Sequence, residues 1–210
     1  MIRKVIFLLL SLIFIIETKA TDYKKGDLIF QVQGDGEFSK AISNSTSRGD
    51  SVSYVHVGII DMEEDGGINV IEASPEEGVR IVSLEKFMET SPDEGHEVIY
   101  VIKRLGIEFP VEETIERAKS YLGEPYDWWY KPDNGKIYCS ELVWESYRDF
   151  NGKRIFASYP MNFRDNEGNM PEFWVKLYEE LGEEVPEGLP GTNPNDLSRD
   201  DRLIEISRLP

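Results

Sequence analysis

Between Gly26 and Arg104 the chain is a succession of short apolar runs, each closed off by turn residues, and this spacing most constrains its fold. Gly26–Gln33 reads as a buried strand entered through a turn. Tyr54–Ile60, Asn69–Ala73, Val79–Val82 and Glu97–Arg104 follow, rich in Val and Ile, with Glu63-Glu64-Asp65-Gly66-Gly67 and Ser74-Pro75-Glu76-Glu77-Gly78 as turns between them. Glu37–Ile42 suits a short helix, Ser43–Ser53 a polar loop and Leu84–Met88 a helical turn. Helical periodicity then takes over. Val111, Ile115, Ala118 and Leu122 share one face, with Pro110 in the first turn and Gly123 as a C-terminal cap. Cys139, Leu142, Val143, Tyr147 and Phe150 mark a second helix, and Phe173, Trp174, Leu177 and Leu181 a third, from Pro171 to Leu181. Leu203–Ile206 reads as a closing strand. Strands first and helices after predict an α+β fold.

Residues 1–20 stand outside this pattern. Arg3 and Lys4 precede the apolar run Val5–Ile16, and Thr18-Lys19-Ala20 offers small residues for cleavage after Ala20. The run is shorter than the roughly 20 residues a bilayer span needs. A secretory signal peptide over 1–20 is therefore expected, followed by a single domain over 21–210 in the periplasm or outside the cell. A net charge of −17 sets the chain against nucleic acid and anionic membranes as partners. One cysteine permits no internal disulfide. Two histidines and no Cys/His cluster give no basis for a metal site, and no cofactor is expected.

That single cysteine, Cys139, follows the loop chemistry of Lys131-Pro132-Asp133-Asn134-Gly135 and so sits at the start of its helix. Unpaired N–H groups and the helix dipole there favour an anion, the setting of a cysteine nucleophile. The alternative is a small buried hydrophobe that opens an apolar stripe. His56 lies inside an apolar strand, either as a satisfied core histidine or as a base. With the hairpin turn centred near Glu64, His56 would face Glu72 directly, with β-carbons about 4.5–5.5 Å apart. A slip of two residues leaves them diagonal neighbours. A carboxylate there fixes the imidazole tautomer and stabilises the imidazolium. The backbone N–H of Cys139 is one oxyanion donor, and Gln31, Gln33 or Tyr54 are side-chain candidates. Tyr126, Trp128, Trp129, Tyr130 and Tyr138 crowd the loop before the cysteine, as a substrate wall or as packing over the core. His96 reads as a loop histidine.

Gly26-Asp27-Leu28-Ile29-Phe30, His56-Val57-Gly58-Ile59, Val70-Ile71-Glu72-Ala73, Tyr121-Leu122-Gly123-Glu124-Pro125-Tyr126-Asp127 and Tyr138-Cys139-Ser140-Glu141-Leu142-Val143, in this order, resemble the YiiX/YebB-like cysteine hydrolases. These are a circularly permuted branch of the NlpC-type papain-like superfamily. Asn193-Pro194-Asn195-Asp196-Leu197 is similar to the family's C-terminal segment. The resemblance implies a small antiparallel sheet or partial barrel packed on helices. It also implies Cys139 as nucleophile, His56 as base and Glu72 as third member of a triad that cleaves amide bonds through an acyl-enzyme. Cell-wall peptides or isopeptides are the implied substrates. Two rivals are a lipid acyltransferase or lipid-amide hydrolase, with an apolar groove near Trp128 and Trp129, and a binding module that turns nothing over.

Overall fold

The computed structural model describes residues 22–32, 34, 36–89 and 99–210; the expected signal peptide, Gln33, His96 and the first two residues of the expected strand from Glu97 lie outside them. In chain order the elements are β1 (Leu28–Val32), α1 (Glu37–Thr46), β2 (Tyr54–Met62), β3 (Ile68–Ser74), β4 (Gly78–Ser83), α2 (Leu84–Glu89), β5 (Tyr100–Leu105), α3 (Val111–Lys119), α4 (Cys139–Ser146), β6 (Tyr159–Pro160), α5 (Glu172–Leu181), β7 (Pro190–Gly191), α6 (Pro194–Ser198) and β8 (Leu203–Leu209). Six strands form one open antiparallel sheet in the order β4-β3-β2-β1-β5-β8, and β6 pairs with β7 apart from it.

The central strands bury both faces, which is why Leu28, Ile29 and Phe30 of β1 are apolar in succession. Leu28, Phe30, Val57, Ile59 and Ile71 turn to one side and pack with Ile115 and Ala118 of α3 and Leu142 and Val143 of α4. Ile29, Ile60, Val70 and Ile102 turn to the other and pack with Leu84 and Phe87 of α2. Period-two alternation thus sends successive residues into two separate cores. The α+β arrangement is as expected.

Three helix ends differ from the sequence reading by more than one residue, each for an identifiable reason. Helix α1 continues to Thr46 because Ser43 and Ser45, polar in composition, are buried; Ser45 Oγ donates to Phe163 O at 2.9 Å. Helix α4 stops at Ser146, where Tyr147 turns extended (ψ 106°). The Tyr147 ring is fully buried and its hydroxyl donates to Gly26 O at 2.8 Å, whereas Phe150, expected on the same stripe, is exposed. Helix α3 ends at Lys119, so Leu122 is exposed and Gly123 is not its cap. Gly123 instead takes φ +86° in the following turn and donates its N–H to Val79 O at 2.9 Å. Helix α6, which the sequence reading lacked, begins at Asn193, whose side chain accepts from Asp196 N.

The turn into β4 shows how tightly this edge is held. Gly78 has φ +73°, and a Cβ there would lie 2.2 Å from the backbone oxygen of Glu124, the atom that accepts the Val79 N–H. Gly123 shares the positive φ but has nothing within 4 Å of such a Cβ. Gly123→Ala is expected to cost about 1–2 kcal/mol, from backbone strain alone. Gly78→Ala adds a collision that only backbone movement relieves, for a total of roughly 3 kcal/mol or more. Urea denaturation of the two variants reads the difference directly.

Candidate active site

Strand β2 carries His56 beside an irregularity. Gln31 of β1 pairs with His56, but the next residue, Val32, pairs with Tyr54, so Val55 is an extra residue on β2. A bulge of this kind bends the strand and re-aims the neighbouring side chains. Asn195 of α6 fastens it. Its Oδ1 accepts from Tyr54 N at 2.7 Å, and its Nδ2 donates to Tyr54 O at 2.9 Å and to Thr46 Oγ1 at 2.7 Å.

The β2–β3 hairpin is two residues away from the expected register. Ile59 faces Ile71, which puts Glu72 diagonal to His56 rather than opposite. The long carboxylate bridges the diagonal: His56 Nε2 lies 2.6 Å from Glu72 Oε2. The other carboxylate oxygen is occupied from the next strand. Arg80 of β4 faces Glu72 directly and reaches Oε1 through Nε at 2.9 Å and Nη2 at 2.8 Å, while its Nη1 donates to Glu77 at 2.7 Å. Phe87 stacks on the imidazole, with ring centroids 5.6 Å apart. Three adjacent strands thus line up Arg80, Glu72 and His56. Arg80 was absent from the sequence reading; its only signal was a charged residue in an otherwise apolar strand.

Cys139 is the first residue of α4 and is buried. The charges of this group are strongly coupled. Burial works against a charged imidazole, but the negative charge and hydrogen bond of Cys139, followed by Glu72, outweigh it and push His56 up to about 10. Glu72 also pays a desolvation penalty, which its bonds to His56 and Arg80 overcome, so its carboxyl is held below the usual range. One turn into α4, burial and then the nearby Asp127 raise Glu141 to about 8. Asp127 itself is fully buried and accepts from Trp129 N, Lys131 N and Asn134 Nδ2, which shapes the loop before Cys139.

Two cavities meet at this group and share Ile42 and Val55. The larger, about 320 Å³, is lined by His56, Glu72, Arg80, Gln31 and Trp128 among others. The smaller, about 40 Å³, is lined by Cys139, Tyr126, Tyr130, Tyr138, Ser140 and Thr192. The side chains expected near the substrate are therefore divided. Gln31 and Trp128 line the first cavity, and Tyr126 and Tyr138 line the second. Tyr54 lines neither. Its ring packs on Phe30 at 5.3 Å and under the Lys103 ammonium at 5.1 Å, because the bulge turns it into the core. Trp129 likewise lines neither cavity and lies against Lys136, 3.0 Å from the ring centroid. Burial raises Tyr126 and Tyr130 well above the ordinary phenol value, so both remain hydroxyl donors beside Cys139. Thr192, also unforeseen, donates its N–H to Tyr138 Oη at 3.1 Å and shares a hydrogen bond with Ser140 Oγ.

Comparison with known proteins agrees with this geometry. The model of a family described as permuted papain-like amidase enzymes, YaeF/YiiX, C92 family, matches residues 22–207. YiiX of Escherichia coli (strain K12) is 28% identical over 182 residues, which cover 85% of this chain and 83% of that protein. The crystal structure of the metalloprotein yiiX from Escherichia coli O157:H7 superposes with a TM-score of 0.70 at 27% identity, over 89% of this chain and 97% of that one. A sheet of this order with a cysteine-led helix against it, together with a family match over almost the whole chain, makes this protein a member of the permuted papain-like amidases of the YaeF/YiiX (C92) family.

Proposed function

We propose that this protein is an exported cysteine amidase in which Cys139, His56 and Glu72 carry the chemistry. The observation that carries this reading is the 2.6 Å contact of Glu72 Oε2 with His56 Nε2, together with a buried cysteine at a helix start whose charge and hydrogen bond act on the same imidazole. Cys139 thiolate attacks the amide carbon, and its own backbone N–H, free at the helix start, receives the oxyanion. His56 delivers its proton to the nitrogen as the C–N bond breaks, which releases the amine and leaves an acyl thioester on Cys139. Water, deprotonated by His56, then attacks the thioester and releases the carboxylic acid, so one water is consumed per amide cleaved. Glu72 keeps the imidazolium oriented throughout, and Arg80 holds Glu72 ionised as a positioning residue. Gln31 is a further donor candidate beside His56.

Cell-wall peptides and isopeptides are the first substrates to try, with export resting on the leader-like residues 1–20. A second reading, a lipid amide as substrate, is favoured by the aromatic lining of the larger cavity at Trp128. The E. coli O157:H7 relative is described as a metalloprotein. Among the described residues of this chain no group of three or more His, Cys, Asp or Glu side chains is placed to hold a metal ion, so the residues do not fit one and no step passes through a metal.

The pairing of Cys139 with His56 is open to direct test. Alkylation of Cys139 at pH 7 is expected to slow in His56→Ala; an unchanged rate would refute the pair. Turnover of an amide substrate should vanish in Cys139→Ala and fall by roughly 10²–10⁴ in His56→Ala.

The pH dependence follows from the sign of the shift. A histidine raised to about 10 is cationic at neutral pH, and the stability it adds is fully present below its unfolded value of 6.5. Both that stability and the acid needed by the leaving amine are lost as pH rises through about 10. The alkaline limb of kcat/KM is expected there. Arg80→Gln removes a cation from beside the Glu72–His56 pair and should move that limb up, with return toward the wild-type position in Arg80→Lys. A limb that stays in place while only thermal stability falls would make Arg80 purely structural.

A further inference from the structure

His56 and Cys139 stand in the walls of different cavities. The 320 Å³ cleft contains His56 in its wall and the 40 Å³ pocket contains Cys139. In the reaction proposed above, the acyl carbon bonds to Cys139 and the nitrogen takes its proton from His56. The group on the nitrogen must therefore extend on the imidazole side. A cleft of about 320 Å³ stands at the small end of ligand pockets, which run from about 300 to 1,000 Å³. It has room for a side-chain-sized or short-chain group rather than a polymer. The acyl side has room for very little.

The lining describes that group further. Phe38 of α1 stands at the centre of an aromatic wall, with Trp128 and Phe173 each 5.3 Å away, and Phe87 closes the cleft beside the imidazole. Such surfaces are matched by apolar chains or rings. Glu37 and Glu76, both exposed, are also in the lining. Arg80, the cationic side chain of the wall besides His56, is committed to Glu72 and Glu77. Two carboxylates oppose a fatty acid or any other carboxylate in this space and favour the ammonium that an amine becomes on release.

We infer that the cleft beside His56 is the leaving-group site, and that the substrate is an amide of a small acyl group with an amine carrying an apolar body. This rests on the cysteine-amidase reading, and it settles on the amine side of the bond as the side recognised. The Phe38–Trp128–Phe173 wall then sets specificity, while Glu37 and Glu76 select against acids.

Two measurements separate this inference from the reading beneath it. The first is turnover of two series, N-alkyl acetamides of increasing alkyl length and N-methyl amides of increasing acyl length. The expected result is a kcat/KM that climbs with alkyl length, up to roughly fourfold per methylene at full burial, and does not climb with acyl length. Phe38→Ala should flatten that climb. The second needs no catalysis: calorimetry of octylamine and octanoate with Cys139→Ala. Octylamine should bind more tightly than octanoate, and Glu37→Gln combined with Glu76→Gln should narrow the difference. Octylamine binding without turnover of any amide by the wild type would overturn the amidase reading, and the leaving-group role with it, and leave standing only the cleft's preference for apolar amines. A climb along the acyl series, tighter binding of octanoate, or faster release of strongly polar amines from wall peptides would overturn the leaving-group inference while amidase activity stood.

Discussion

The 2.6 Å contact between His56 and Glu72 is the interaction on which the site depends, and it is a product of strand register. Residue pairing in an antiparallel sheet has a period of two, so a one-residue slip in β3 would turn Glu72 to the opposite face. Its carboxylate would then be buried in the main core without a partner, at a cost of several kcal/mol. Register, ionisation and orientation of the histidine are in this sense one property. Arg80 extends it to a third strand: the guanidinium faces Glu72 across β3 and β4 and takes the oxygen that His56 leaves. A buried carboxylate shared by two cations stays charged, and a charged carboxylate holds the imidazole charged.

The other half of the site comes from the helical part of the chain, and the contact between the halves is made with few polar groups. Helix α4 buries Cys139, Ser140, Glu141, Leu142 and Val143 against the sheet, so the cysteine is set by packing in a dense core rather than by a flexible loop. Asn195 acts from the far end of the chain. By satisfying both backbone groups of Tyr54 it keeps the β2 bulge in place, and the bulge directs Tyr54 into the core two residues before His56. This explains how a segment near residue 195, with no atom among the proposed reacting groups, belongs to the site. The aromatic wall is assembled in the same way, from Phe38 on α1, Trp128 in a loop and Phe173 on α5.

Legibility in the sequence followed the range of the interactions. The six strands of the main sheet, α3, α4 and α5 were visible because hydrophobic periodicity is a local signal and these segments bury most of the faces it predicts. Ends were less visible. Helix α1 outran its expected length because Ser43 and Ser45 are buried and Ser45 bonds to Phe163, and α4 stopped early because Tyr147 leaves the helix to reach Gly26. The His56–Glu72 pairing was anticipated although the register was two residues off, since a long carboxylate tolerates a diagonal. Tyr54, one of three side-chain candidates that parity left open, is turned into the core by the bulge.

By itself the sequence determined the α+β class, the position of the one thiol at a helix start, the burial of one histidine in a strand and the acidic charge of the chain. These depend on composition and on neighbours within a few residues. Tertiary structure alone decided that Arg80 would join Glu72, that Asn195 would fasten the bulge, and that His56 and Cys139 would open onto cavities of such different size. Those are contacts between residues 8 to 149 positions apart, set by strand order and helix packing, and no local pattern carries them.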